Sequence, residues 1–491
     1  MDNTTSHSTS DRRRWLALAV IVAAQFMVVL DVAIVNVALP SIKTDLHFSQ
    51  PNLQWVISAY AIFFGGLLLL GGRLGDLLGR RRLFIAGLAI FTASSLACGV
   101  SWSEGSLIAF RAVQGLGGAL LAPAALSILI TTFSEGRERN LALGIWGAAS
   151  GSGGAAGVLL GGVLTSYLSW SWVFFVNVPI GVALVVATPW LLRESRSGAT
   201  HRHFDVAGAV SVTSSLMLLV YAVTRTADSG WANGLTLALL AASAVLMAGF
   251  IAIELRSPHP LLPMRIFRMR TLAAANAIAL LVGSIMFSQF FLQTLYMQDV
   301  LHYSPIQSGA AFVTMTLAIL VFSNVAQMLV SRIGVRRVLT TGLVLDTVSL
   351  VLLTRLPVDG HYFTNLFPAY LIGGLGMALI FVPMTIAGLT GVSREDAGVA
   401  SGLINTSRQI GGAVGLAAVS SIAASYAGHG RITAAVAASD LTRGFQVGFE
   451  VLTGITVVAA LITVCFIASP RKAVAHDEVV VETLERVQEA A

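Results

Sequence analysis

Apolar stretches long enough to cross a bilayer recur about fourteen times along this chain, and no other feature limits its fold so tightly. They lie near 15-38, 53-72, 83-101, 106-130, 140-164, 172-192, 204-225, 232-253, 272-297, 306-330, 336-355, 366-390, 398-425 and 446-468. Hydrocarbon offers no water to backbone N–H and C=O groups, so a spanning segment must satisfy them within a helix or a closed barrel. Runs of about 20 residues are of helix length and roughly twice the length a strand needs. With 56% hydrophobic and only 11% charged residues, the chain is predicted to be an all-α polytopic membrane protein. The opening MDNTTSHSTSDRRRW is polar and basic, and the run after it has no small-residue cleavage site, so the first span is read as retained. Cys98 and Cys465 fall in apolar runs of opposite halves, which implies buried thiols and no disulfide framework.

Lys and Arg accumulate in loops that stay in the cytoplasm. With the N-terminus inside, 23 of the 30 basic residues fall on the cytoplasmic side. Five (Lys43, Arg225, Arg355, Arg431 and Arg443) fall outside, while Arg111 and Arg408 lie within spans. Both termini are therefore expected in the cytoplasm and the protein in the cell membrane. The net charge of +6 follows from this topology and implies no nucleic-acid partner. No feature indicates an obligate protein partner; membrane lipids surround the chain.

The chain repeats itself. "GIWGAASGSGGAAG" from Gly144 and "GLINTSRQIGGAVG" from Gly402 share four glycines at constant offset, and "GLGGAL" from Gly115 matches "GLGMAL" from Gly374. Two six-helix units leave a pair of spans over, between the halves. The expected division is a cytoplasmic segment 1-14, a first bundle 15-195, a linker with two inserted helices 196-256, a second bundle 257-469 and a cytoplasmic tail 470-491. Parallel repeats of this kind place a substrate path between the halves near the bilayer middle.

These segments also resemble a known family. "GRLGDLLGRRR" (72 to 82) is similar to the cytoplasmic loop signature of the major facilitator superfamily, and "RAVQGLGGA" (111 to 119) to its fourth-helix motif. "LDVAIVNVALP", "WVFFVNVPIG" and "SGLINTSRQIGGAVG" resemble the fourteen-helix drug:proton antiporter branch, often called the EmrB/QacA type. The resemblance implies the major facilitator fold with two extra helices, and multidrug export by alternating access with protons as the coupling ion and no other cofactor. It also implies that Asp76 in the loop signature (Gly72, Asp76, Gly79, Arg80, Arg81) holds an inner gate against a helix N-terminus of the opposite half. The branch's fifth helix usually carries prolines where this chain has Gly154 and Val158. Its glycines remain: Gly153, Gly157 and Gly161 recur every four residues, with Gly162 beside them, so another helix can approach closely.

Asp31, among Val, Leu, Ile and Ala, should cost several kcal/mol as an ionised carboxylate unless compensated. Helix rise places it at a depth comparable to that of Arg111 on the fourth span. Desolvation raises a carboxyl pKa and a neighbouring guanidinium lowers it, so an acid that gains and loses such a partner changes its proton affinity. Asp31 and Arg111 are thus candidates for proton coupling, or else form a permanent ion pair that fixes packing. Asp346 and Arg408 lie about 15 Å into the eleventh and thirteenth spans; Asp346 can bind a cationic substrate, share proton transfer or stay peripheral. Candidate cavity residues are Gln25, Met27, Gln54 and Ser58 in the first half. In the second they are Gln289, Gln293, Tyr296, Met377, Phe381, Met384, Asn405, Arg408 and Gln409, with ordinary packing as the alternative for each.

The chain has two lysines, Lys43 and Lys472, and no G-x-x-x-x-G-K-[ST] loop, so it carries no recognisable site for ATP-driven pumping. The histidines fall in loops or tails, no His/Cys cluster has metal-ligand spacing, and an enzyme is not indicated. Two functions remain: a proton-driven exporter of a hydrophobic or amphipathic, cationic drug or natural product, or a facilitator, lipid-handling protein or sensor of the same architecture.

Overall fold

A computed structural model describes residues 4–49, 51–133, 137–192, 194, 205–257, 262, 269–390, 392, 397–426 and 434–467. The 196–204 linker, Arg394 and the 470–491 tail fall outside the described residues. Every regular element among them is helical. In chain order they are α1 (Thr4–Asp45), α2 (Trp55–Leu78), α3 (Arg80–Gly99), α4 (Glu104–Thr132), α5 (Arg137–Tyr167), α6 (Trp172–Phe175), α7 (Asn177–Leu191), α8 (Val206–Ser229) and α9 (Gly234–Arg256). Then come α10 (Arg270–Leu295), α11 (Pro305–Ile333), α12 (Val335–Leu353), α13 (Phe367–Leu389), α14 (Ala397–Tyr426) and α15 (Ala434–Phe466).

Among the described residues, thirteen candidate spans are long and apolar enough to cross a membrane, α6 and α7 counting as one. The fourteenth expected span, α12, has the length but carries Arg336, Arg337 and Asp346 within 19 residues. The chain is an integral membrane protein. Two boundaries depart from the sequence reading. The helix expected from residue 15 begins at Thr4, because the preceding polar segment contains no Gly or Pro to stop it, so His7 lies in a helix and not in a loop. The sixth span breaks at Val176, and Pro179 sits in the first turn of α7, where its missing N–H has no intrahelical role to lose.

The duplication is visible in the packing. α5 lies along α1 as α14 lies along α10; α4 packs on α2 and α3 as α13 packs on α11 and α12. Small residues make these approaches possible, as expected where lipid supplies no hydrophobic drive between helices. A Cβ on Gly153, Gly157 or Gly161 would lie 2.8–2.9 Å from the carbonyl oxygens of Phe26, Leu30 and Ile34 on α1. Gly411 and Gly415 receive Leu280 and Ser284 of α10 in the same way. The glycine stripe thus belongs to contacts within each half. Gly162 faces the other way: its Cβ would lie 2.8 Å from Pro305 O on α11.

The inserted pair α8–α9 is joined by reciprocal bonds, Ser215 Oγ and Ser243 Oγ each donating to the other's carbonyl at 2.8 Å. α8 packs on α2 and on α14, one helix from each half. At the face opposite the start of α1, the halves meet directly. Lys43 Nζ lies 3.3 Å from Asp299 Oδ2, Gln298 Nε2 donates to Val37 O at 2.9 Å, and Ile306 N donates to Ser166 Oγ at 3.1 Å. These contacts close that far face. Nearer the start of α1, Leu69 packs among Ala400 and Leu403.

Candidate functional site

Asp31 is completely buried, and four helices build its surroundings. Gly157 lets α5 close on α1 beside Leu30 and Ala33, which fixes the rotation of α1 at this turn. α4 then supplies Arg111 and Gln114, three residues apart and therefore on one face, and the break before α7 supplies Asn177. Arg111 Nη1 donates to Asp31 Oδ2 at 2.7 Å; Gln114 Nε2 and Asn177 Nδ2 donate to Oδ1 at 2.8 and 2.9 Å. The carboxylate is thus ligated by one charged and two neutral donors.

Arg111 is as deeply placed, at 1% exposure. Its Nε donates to Val56 O on α2 at 2.9 Å and its Nη1 also reaches Gln114 Oε1 at 2.7 Å. The guanidinium carbon stands 4.5 Å from the centroid of the Tyr60 ring and 5.7 Å from that of Phe174, within cation–π range. Asn177 Nδ2 also donates to Ser95 Oγ at 3.1 Å, which in turn donates to Phe174 O at 2.9 Å. The arrangement is neutral overall, so the charge that looked uncompensated in sequence is compensated by tertiary contact.

The sequence reading missed Gln114, Asn177, Ser95 and Tyr60. A signal existed for two of them: Gln114 and Asn177 are polar residues inside apolar spans, and both stand in the quoted family motifs. Tyr60 Oη and Asn177 Oδ1 are buried with no hydrogen-bond partner among the described residues, so the cluster retains unused polar capacity when its charges are paired.

The candidate cavity residues do not gather into one surface. Gln54 and Ser58 point to the inserted helix: Gln54 Nε2 donates to Thr224 Oγ1 on α8 at 2.6 Å, and Ser58 Oγ donates to Gln54 Oε1 at 2.6 Å. Gln25 Nε2 donates to Ser150 Oγ on α5 at 3.1 Å. Met27, Gln289, Gln293, Tyr296, Met377 and Met384 are buried in the packed interior. Tyr296 belongs to a π-helical turn that ends α10, and its hydroxyl donates to Pro357 O. Phe381, Asn405 and Arg408 are half-buried and do come together: Arg408 Nη2 donates to Asn405 Oδ1 at 2.7 Å, with its guanidinium 5.9 Å from the Phe381 ring. Gln409 turns away toward the seam with α2, where its Cβ lies against Gly65.

In the loop signature, Gly79 joins α2 to α3 at φ +111°, a conformation that side chains rarely adopt. Arg81 N donates to Glu194 Oε1 at 3.1 Å, and Arg81 Nε and Arg82 Nε each lie 3.8 Å from Glu194 Oε2. This carboxylate follows α7, so it ties the loop to its own half. Gly72 has only ordinary contact, with Pro123. Arg80 lies in the first turn of α3. The side chain of Asp76 lies outside the described residues.

The second half repeats the helices without repeating the chemistry. Tyr370, which takes the place of Arg111, is buried and stacks on Phe312 with centroids 5.6 Å apart. Asp346 is completely buried on α12.

Comparison with known proteins agrees with this architecture. The family model described as Major Facilitator Superfamily matches residues 21–416. Puromycin resistance protein pur8 of Streptomyces alboniger is 38% identical over 471 residues, covering 94% of this chain and 93% of the relative. Cephamycin export protein CmcT of Amycolatopsis lactamdurans is 40% identical over 413 residues, covering 83% and 85%. Among solved structures, a peptide transporter POT in complex with sulfate superposes with a TM-score of 0.67 at 15% identity, covering 91% of this chain and 93% of that one.

Proposed function

The chain belongs to the Major Facilitator Superfamily, and from that premise we propose that it exports hydrophobic or amphipathic, antibiotic-like small molecules from the cell in exchange for protons, with Asp31 as the coupling acid. Relatives named for resistance to puromycin and for export of cephamycin support the direction and class of substrate. The distribution of Lys and Arg supports cytoplasmic termini, which makes the face closed by Lys43 and Asp299 the external one.

The observation that carries the reading is the neutral, water-excluded Asp31–Arg111 pair at the junction of α1, α2, α4 and α7. A proton arriving at Asp31 cancels the carboxylate charge and leaves the guanidinium of Arg111 to Val56 O, Gln114 and the Tyr60 face. That imbalance costs several kcal/mol in a buried site, enough to favour a different arrangement of the helices. Loss of the proton on the cytoplasmic side restores the pair. A cationic or bulky substrate that binds between the halves then uses the same rearrangement in the opposite direction.

The test is export of ethidium from proteoliposomes under an imposed pH gradient, with wild type and Asp31→Asn compared at equal folded protein. Gradient-driven export by wild type, lost in a variant that still binds ethidium, supports coupling at Asp31. Full export by the variant returns Asp31 to a packing role. Ethidium flux that ignores the gradient in wild type favours a facilitator over a pump.

A further inference from the structure

Asp346 lies about 16 Å along α12 from Val335, completely buried, and neither carboxylate oxygen has a hydrogen-bond partner among the described residues. One turn further on, Ser349 Oγ donates to Ala369 O at 2.7 Å. Gly373 of α13 draws α10 into the same place: a Cβ there would lie 2.7 Å from Ser349 Oγ and 3.7 Å from Gln289 Nε2. The side-chain amides of Gln289 and Gln293 are likewise buried and without partners among the described residues. A carboxyl group and two amides thus occupy one protein interior with their polar capacity unspent.

The fold does not require an acid here. Gly376 of α13 packs on Gly342 and Asp346 as Gly117 of α4 packs on Gly87 and Phe91: the Cβ of Gly376 would lie 2.8 Å from Asp346 N, and that of Gly117 2.6 Å from Phe91 N. Phe91, the counterpart of Asp346 in the first half, is fully buried and apolar. Among the described residues, each half therefore places one buried acid, at non-equivalent positions.

Among the described residues, no cation of the elements packed on α12 pairs with Asp346. α13 contributes Tyr370, whose hydroxyl is 3.5 Å from Met297 Sδ. α15 carries Asp440, Cys465, and Arg443 paired with Glu450 at 3.1 Å. Arg332 ends α11, Arg336 and Arg337 begin α12, and the turn before α13 holds Tyr362, hydrogen-bonded to Thr314. None of these forms a hydrogen bond or ion pair with Asp346. In such surroundings a carboxylate is far costlier than a neutral carboxylic acid.

We propose that Asp346 is a second proton-binding site, occupied in this externally closed conformation and emptied when rearrangement of α12 and α13 admits water. The step is a protonation alone: water on one side supplies H⁺ to a carboxylate oxygen, and water on the other takes it back. The proposal rests on the antiporter reading, since it adds a proton to the same cycle.

Infrared spectroscopy on the protein in lipid nanodiscs at neutral pH tests occupancy without reference to transport. The carbonyl stretch of a protonated carboxyl group is expected in wild type and in Asp31→Asn, and lost in Asp346→Asn; Asp346→Glu keeps a displaced band if the site and not the fold is read. A wild-type spectrum that Asp346→Asn leaves unchanged overturns the proposal. Protons moved per ethidium, taken from the pH gradient that nulls ethidium flux, are expected to fall in Asp346→Asn. An unchanged ratio in an active variant overturns the second coupled proton while leaving Asp31 untouched. Absence of gradient-driven flux in wild type overturns the antiporter reading and Asp346's place in its cycle, and the infrared arm still decides whether Asp346 holds a proton.

Discussion

Arg111 Nη1 donates to Asp31 Oδ2 at 2.7 Å, joining α4 to α1 where neither residue touches solvent. The same guanidinium nitrogen reaches Gln114, and Gln114 returns to the second oxygen of Asp31 at 2.8 Å, so the three side chains close a ring. Displacing Asp31 or Arg111 leaves the other's charge unpaired, and displacing Gln114 takes one hydrogen bond from each of them.

This ring predicts strong coupling between its charges. Arg111→Leu leaves a buried carboxylate facing two neutral amides and is expected to cost about 3–5 kcal/mol of stability. The doubly neutral Asp31→Asn with Arg111→Leu should recover most of that loss while remaining unable to couple. Thermal unfolding in detergent across the four combinations measures it; additive losses would mean that the pair is energetically idle.

The glycines of α5 should divide by what faces them. A methyl group at Gly157 meets Ala33 Cβ at 2.7 Å and Leu30 O at 2.9 Å, whereas nothing lies within 4 Å of a Cβ at Gly154. Gly157→Ala is expected to destabilise by about 1–3 kcal/mol, and Gly154→Ala to stabilise α5 by about 0.5–1 kcal/mol. Melting temperatures of the two single variants decide between this division and a uniform requirement for flexibility.

The closure of the external face is held partly by charge. Lys43 and Asp299 are 30% and 19% exposed, so solvent screening limits their pair to at most about 1 kcal/mol. Lys43→Glu should therefore raise the open population severalfold, and Lys43→Glu with Asp299→Lys should return it. Thiol labelling of a cysteine placed at Ser308, which is completely buried beside this contact, in a background with Cys98 and Cys465 replaced by Ser, reads the opening; equal labelling in all three would show that the ion pair does not govern closure.

The inserted helices should contribute to stability through Gln54. Its bond to Thr224 on α8 is buried and measures 2.6 Å, and Ser421 Oγ on α14 donates to Val223 O of the same helix at 3.1 Å. A thermal-unfolding cycle of Gln54→Leu and Thr224→Val is expected to give a coupling of about 0.5–1.5 kcal/mol. A value near zero would mean that α8 is held by shape alone.

What the sequence determined by itself follows from properties local to the chain. Hydropathy marks the spans, constant offsets mark the duplication, and a charge within an apolar run marks Asp31, Arg111, Asp346 and Arg408 as lying within the membrane-spanning segments. Helix rise converts position into depth, which is why Asp31 and Arg111 were legible as neighbours in height. Depth leaves rotation and partner open, and these only the tertiary structure decided. The glycine stripe of α5 turns Asp31 toward α4 and α7, where Gln114 and Asn177 reach it; α8 takes Gln54 and Ser58 away from any central path; and α13 sets Asp346 where the first half has Phe91. Such choices depend on which helix faces approach to contact distance, and that is a property of the assembled bundle, set by side-chain volume on several helices at once.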